Sequence, residues 1–186
     1  MHKAALALGL LLAGVASAAE PRVEACAACH GASGRSEQPD VPSLAGQPAD
    51  FIVIQMILFR EGLRDVPVMN AAARGLADPE IEALAAHYTA LPAGPSPDRR
   101  ARDPVLAEAG RAASQAMRCA VCHLPSYAGR NQVPRLTGQR EDFLARTLTE
   151  YRDGRRVGAD TTMNGAVQGA SDATIAALAH YLAQLD

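Results

Sequence analysis

The sequence predicts an all-α protein made of two similar helical domains in tandem. Three observations predict it. Apolar residues recur at helical spacing and no strand or hairpin signal accompanies them. The second half repeats the first at an offset of 92 to 94 residues. Each half opens with the same five-residue pattern, Cys26-Ala27-Ala28-Cys29-His30 and Cys119-Ala120-Val121-Cys122-His123.

The repeat can be read directly. Pro42-Ser43-Leu44-Ala45-Gly46-Gln47 matches Pro134-Arg135-Leu136-Thr137-Gly138-Gln139, and Phe51 matches Phe143. Phe59-Arg60-Glu61-Gly62 matches Tyr151-Arg152-Asp153-Gly154. Met69-Asn70 matches Met163-Asn164, and His87-Tyr88 matches His180-Tyr181.

Within each copy three helices are expected. One leads into the cysteine motif, clearest over residues 105–117. A second covers residues 48–61 and 141–152, each followed by glycine, Gly62 or Gly154, as a stop. The third begins at Asp78, read as an N-cap with Pro79 at the first helical position, and places Ile81, Leu84, Ala85, Tyr88 and Leu91 on one face. Its partner starts at Ser171 and buries Ile175, Leu178, Tyr181, Leu182 and Leu185. The copies are expected at 19–92 and 104–186, with a linker over 93–103 rich in proline and glycine. Arg99, Arg100 and Arg102 in that linker read as a solvated basic stretch, with a docking role as the alternative. Each copy is near the lower size limit for a domain, so a large apolar prosthetic group would complete its core.

The two motifs use every cysteine in the chain. Cys-x-x-Cys-His in an exported chain is the attachment signature of c-type haem: two thiols add across the haem vinyl groups, and the adjacent histidine lies under the iron. Two covalent haems are therefore expected, on Cys26 and Cys29 and on Cys119 and Cys122. A zinc site or two disulfides are the alternatives for four cysteines, but neither requires a histidine after each pair.

His30 and His123 are the expected proximal ligands. A methionine about forty residues later would fill the sixth position, and Met69 and Met163 hold equivalent places, read as lying outside helices. A thioether favours reduced iron. Met56 and Met117 read as core, because each lies in a predicted helix without a methionine in the other copy. His87 and His180 read as packing or surface residues rather than ligands. Pro42 and Pro134 follow the haem histidines closely, and a proline carbonyl there could accept the histidine Nδ1 proton; a turn proline is the alternative.

Residues 1–18 read as a cleaved secretory signal. Lys3 is its charged region, an apolar run follows, and Ala16-Ser17-Ala18 is a small-residue cleavage site. Export to the periplasm follows from that reading. Residues 20–93 carry ten acids against five arginines, whereas 103–186 balance nine against nine. No basic patch interleaved with aromatics is present and tryptophan is absent, which argues against nucleic-acid binding.

With these residues in place the chain resembles the dihaem class I cytochromes c of the cytochrome c4 type. The resemblance implies two tandem cytochrome c-like domains, each wrapped around one covalent haem with His/Met axial ligation. It implies an electron carrier rather than an enzyme, working between a respiratory donor such as a cytochrome bc complex and a terminal oxidase, in peripheral contact with membrane complexes. It also supports the haem-fixing role of Pro42 and Pro134. Similar dihaem chains serve as cytochrome subunits of periplasmic dehydrogenases, such as the flavocytochrome that oxidises sulfide. Two departures keep that alternative open. Leu124 stands where glycine follows the first haem histidine as Gly31, and the segment from Gly154 to Met163 is two residues longer than that from Gly62 to Met69.

Overall fold

The computed structural model describes residues 20–156 and 161–186. The expected signal segment, and part of the longer segment from Gly154 to Met163, lie outside the described residues. The described chain is helical, with only an isolated bridge between Arg130 and Val133 in extended pairing.

In the first copy, α1 (Glu20–His30) carries the cysteine motif on its last turns. α2 (Ala49–Arg60) buries Ile52, Met56 and Phe59, and α4 (Asp78–Ala90) buries Ile81, Leu84, Ala85 and Tyr88 against them. α3 (Pro67–Ala73) closes the cluster with Ala73. Asp78 is the first residue of α4 rather than its cap. The Glu80 carboxylate instead accepts the Ala77 N–H at 2.9 Å, satisfying one of the free amides of the helix start.

In the second copy, α5 (Pro104–Ala116) is capped by the Asp103 carboxylate, which accepts from the Val105 and Leu106 amides. The short α6 (Ala120–His123) carries the second motif, and α7 (Glu141–Arg152), α8 (Thr162–Ala166) and α9 (Asp172–Ala183) follow. Ser171 caps α9, its hydroxyl accepting the Thr174 N–H at 3.1 Å. Ile175, Leu178 and Leu182 are buried as expected, while Tyr181 and Leu185 are only partly so. α5 and α9 cross in close contact. A Cβ on Gly110 would lie 2.0 Å from the Ala177 carbonyl oxygen, so only glycine lets the two backbones approach this far.

Two expectations change. Met69 and Met163 sit in short helices, α3 and α8, not outside helices. Segments of seven and five residues span at most about two turns, too short to show a helical period. Of the linker arginines, Arg100 and Arg102 are exposed as expected, but Arg99 is half-buried. Arg99 pairs with Asp186 at 2.6 Å and Arg100 with Glu141, so the linker is pinned along the second copy.

The copies dock through the loops that follow the cysteine motifs. The linker crosses this junction closely: a Cβ on Gly46 would meet Ala93, and one on Gly138 would meet the Gly94 carbonyl at 2.7 Å. Both glycines take positive φ, so they admit the linker and the turn together. Arg140 is buried at the same junction. It pairs with Asp98 of the linker at 2.5 Å and Asp142 at 2.6 Å, and donates to the Ser36 carbonyl of the first copy at 3.3 Å.

Candidate haem sites

All four cysteines are unpaired, with Cys29 and Cys122 exposed and Cys26 and Cys119 partly buried. Among the described residues no three or more His, Cys, Asp or Glu side chains gather into a metal-binding cluster, so the four thiols do not converge on a zinc site. Cys26, Leu44 and Met69 each pack against the first core cluster. In the second copy, Cys119 and Leu136 pack on one cluster and Met163 with Met117 on another.

The histidines are buried and fixed. His30 Nδ1 lies 2.8 Å from the Pro42 carbonyl, and His123 Nδ1 lies 2.9 Å from the Pro134 carbonyl. A carbonyl can only accept, so each Nδ1 carries the proton and each Nε2 keeps its lone pair. Burial holds both imidazolium pKa values below the ordinary histidine range, against the proline carbonyls, which favour the charged form. The neutral ring with a free Nε2 is the form that ligates iron.

The methionines are positioned by the asparagines that follow them. Asn70 donates to the Phe59 and Arg64 carbonyls at 2.7 and 2.9 Å and accepts the Val66 N–H at 2.8 Å. Asn164 likewise donates to the Tyr151 and Arg156 carbonyls at 2.8 and 3.4 Å. The side chain after each methionine thus ties its short helix back to the end of α2 or α7. These asparagines were visible in the repeat, but their role depends on a turn the sequence does not display.

The other repeated histidine is accounted for without iron. His180 is buried, its Nε2 accepts the Asp103 N–H at 2.9 Å, and its Nδ1 donates to Glu141 at 3.1 Å. Both nitrogens are engaged, which excludes ligation. His87 stacks edge-on against Tyr88 with ring centroids 5.0 Å apart. Met56 is buried on α2 and Met117 packs against the second copy's core, as expected for filler.

Leu124 keeps the backbone of the glycine it replaces. Its φ of 70° and ψ of 159° lie in a region occupied almost only by glycine, beside φ 81° at Gly31. Strain of this kind costs about 1–3 kcal/mol.

Sequence reasoning missed Arg64 and Arg156. They sit at equivalent places beyond α2 and α7, and burial depresses both, Arg64 to about 9. Arg64 donates to Gln55 at 2.5 Å and Arg156 to Thr147 at 3.1 Å; Glu150 favours the charged form of both from a distance, but among the described residues neither makes a salt bridge. Two desolvated arginines, Arg156 buried and Arg64 half-buried, that lack a salt-bridged carboxylate suit a group that brings its own. Together with two thiols and a free imidazole nitrogen per copy, they fit two haems, whose propionates Arg64 and Arg156 would hold. The haem contributes one-electron cycling of its iron.

The comparisons agree with this chemistry. A Cytochrome c family model matches residues 107–186. Cytochrome c4 of Pseudomonas aeruginosa is 32% identical over 177 residues, covering 91% of this chain and 88% of that one. The thiosulfate dehydrogenase electron acceptor of Stutzerimonas stutzeri is 34% identical over 179 residues, covering 90% and 82%. The crystal structure of reduced recombinant cytochrome c4 from Pseudomonas stutzeri superposes with a TM-score of 0.80 at 29% identity, covering 91% of this chain and 97% of that one. Cys26 with Cys29 and Cys119 with Cys122 are haem-attachment pairs, and the likeness runs through both copies. The chain thus belongs to the cytochrome c4 family, the dihaem c-type cytochromes that transfer electrons.

Proposed function

We propose that this chain is a periplasmic electron carrier whose irons are ligated by His30 and Met69 in the first copy and by His123 and Met163 in the second. One observation carries the ligand reading: each copy holds a buried neutral histidine with Nε2 free, and ties the helix of its repeated methionine to the neighbouring helix end. Two strong-field axial ligands per iron leave no open position for substrate, which suits transfer rather than catalysis. Donor and acceptor are redox proteins, with a cytochrome bc complex and a terminal oxidase as the leading pair. The signal-like N-terminus supports export to the periplasm, where the haems are attached.

A second reading is favoured by one specific observation, the 34% identity to a thiosulfate dehydrogenase electron acceptor. On that reading the donor is a periplasmic dehydrogenase rather than a membrane complex. Stopped-flow reduction of the purified oxidised protein separates the two. Rapid reduction by the cytochrome bc complex, with none by a thiosulfate- or sulfide-oxidising dehydrogenase, supports the first; the reverse supports the second.

A further inference from the structure

The glutamines that end the two Pro-x-Leu-x-Gly-Gln segments cross between the copies. Gln139 of the second copy reaches Ser43 of the first: its Oε1 accepts the Ser43 N–H at 2.7 Å, and its Nε2 donates to the Ser43 carbonyl at 2.9 Å. Gln47 of the first copy does the same to Arg135 of the second, at 3.0 and 2.9 Å. Ser43 and Arg135 are equivalent residues, so the exchange is reciprocal. Both glutamines are buried, at 4% and 5% exposure. Each amide orientation is fixed by its partners, because an N–H can only donate and a carbonyl only accept.

The residues reached are not arbitrary. The Ser43 N–H belongs to the same peptide group as the Pro42 carbonyl, which accepts the His30 Nδ1 proton. The Arg135 N–H belongs to the same peptide group as the Pro134 carbonyl, which accepts from His123. Each peptide is thus bonded at both ends: by its own copy's histidine at oxygen and by the other copy's glutamine at nitrogen. Bonding the N–H polarises the peptide and makes its carbonyl a better acceptor, a cooperative gain of about 10–30% per bond. A stronger Nδ1–H···O bond gives the imidazole more donor character toward a metal at Nε2.

We propose that Gln47 and Gln139 are positioning residues that act crosswise, each tuning the proximal histidine of the opposite copy through one shared peptide. The electronic state of each site then depends on the docking of the two copies. This rests on reading His30 and His123 as proximal ligands.

The test uses the full mature dihaem protein and the variants Gln139→Leu and Gln47→Leu. In Gln139→Leu the oxidation equilibrium of the first site should shift about two- to threefold toward the reduced form, about 20–30 mV upward at 59 mV per tenfold for one electron. The second site should move less, although the substitution lies in the second copy. Gln47→Leu should give the mirror result. In the diamagnetic reduced protein, the Ser43 amide of Gln139→Leu should lose hydrogen-exchange protection and the His30 Nδ1–H resonance should move upfield. Gln139→Glu keeps an acceptor oxygen, so it should retain Ser43 protection and not raise the first potential. A larger shift at the second site, or an unchanged His30 Nδ1–H resonance in Gln139→Leu, overturns the proposal. Hyperfine-shifted His30 and His123 ring protons in the oxidised wild type test ligation separately. If they are absent, the ligand reading fails; if they are present without the crossed shifts, only the crosswise tuning fails.

Discussion

At the scale of single residues, the sites depend on side chains that hold other side chains. Met69→Ala and Met163→Ala should each open one iron to exogenous ligands and remove about half of the long-wavelength thioether–ferric band, because one of two such sites is lost. Survival of the full band in both variants would contradict the ligand assignment. Asn70→Ala leaves Met69 in place but removes three hydrogen bonds around it. A loss of about 2–3 kcal/mol is expected in denaturant unfolding of the first copy, with faster imidazole binding at the first site only. Much of this was legible in the sequence because it is local. His30 and Pro42 are twelve residues apart, and His123 and Pro134 eleven, so one turn brings each pair together. Arg64 and Arg156 were not legible, since a charged residue after a helix ordinarily reads as surface.

At the scale of elements, the long helices followed from periodicity, and their ends differ from expectation by a residue or two. The short α3 and α8 did not, because hydrogen bonds from Asn70 and Asn164, not an apolar stripe, tie them in place. Gly110 is another element-level feature without a sequence signal. It is a helix-interior glycine until α9 is placed across it. Gly110→Ala should gain about 1 kcal/mol of helix propensity. The contact with the Ala177 backbone and the Tyr181 Cβ opposes it, since overpacking costs about 1–3 kcal/mol and backbone atoms cannot rotate away. The net expectation is a lower melting temperature for the second copy, measured by calorimetry, with the first copy unchanged. A stabilised variant would show that the α5–α9 crossing can relax.

At the scale of the whole molecule, the repeat announced two copies but not how they meet. The contacts between Gln47 and Arg135 and between Gln139 and Ser43 join residues 88 and 96 apart, and no local pattern encodes such a pairing. The junction also holds a titrating group. Burial pushes the Asp142 carboxyl up, but Arg140 and the Asp40 and Phe143 amides hold it below the usual aspartate value on balance. Its folded pKa is therefore depressed. Its contribution to docking is present above the unfolded aspartate value and is lost as pH falls through the lower folded one. The Asp40 amide shift, followed by NMR on acidification, should titrate with a midpoint below that of an ordinary aspartate; a midpoint at or above it would contradict the junction described. Each copy is proposed to hold one haem with histidine and methionine ligands. The most direct measurement is a spectroelectrochemical titration of the mature protein followed at the thioether–ferric band. Two one-electron steps are expected, each carrying half of the band. A single one-electron step, or a step that leaves the band unchanged, would contradict it.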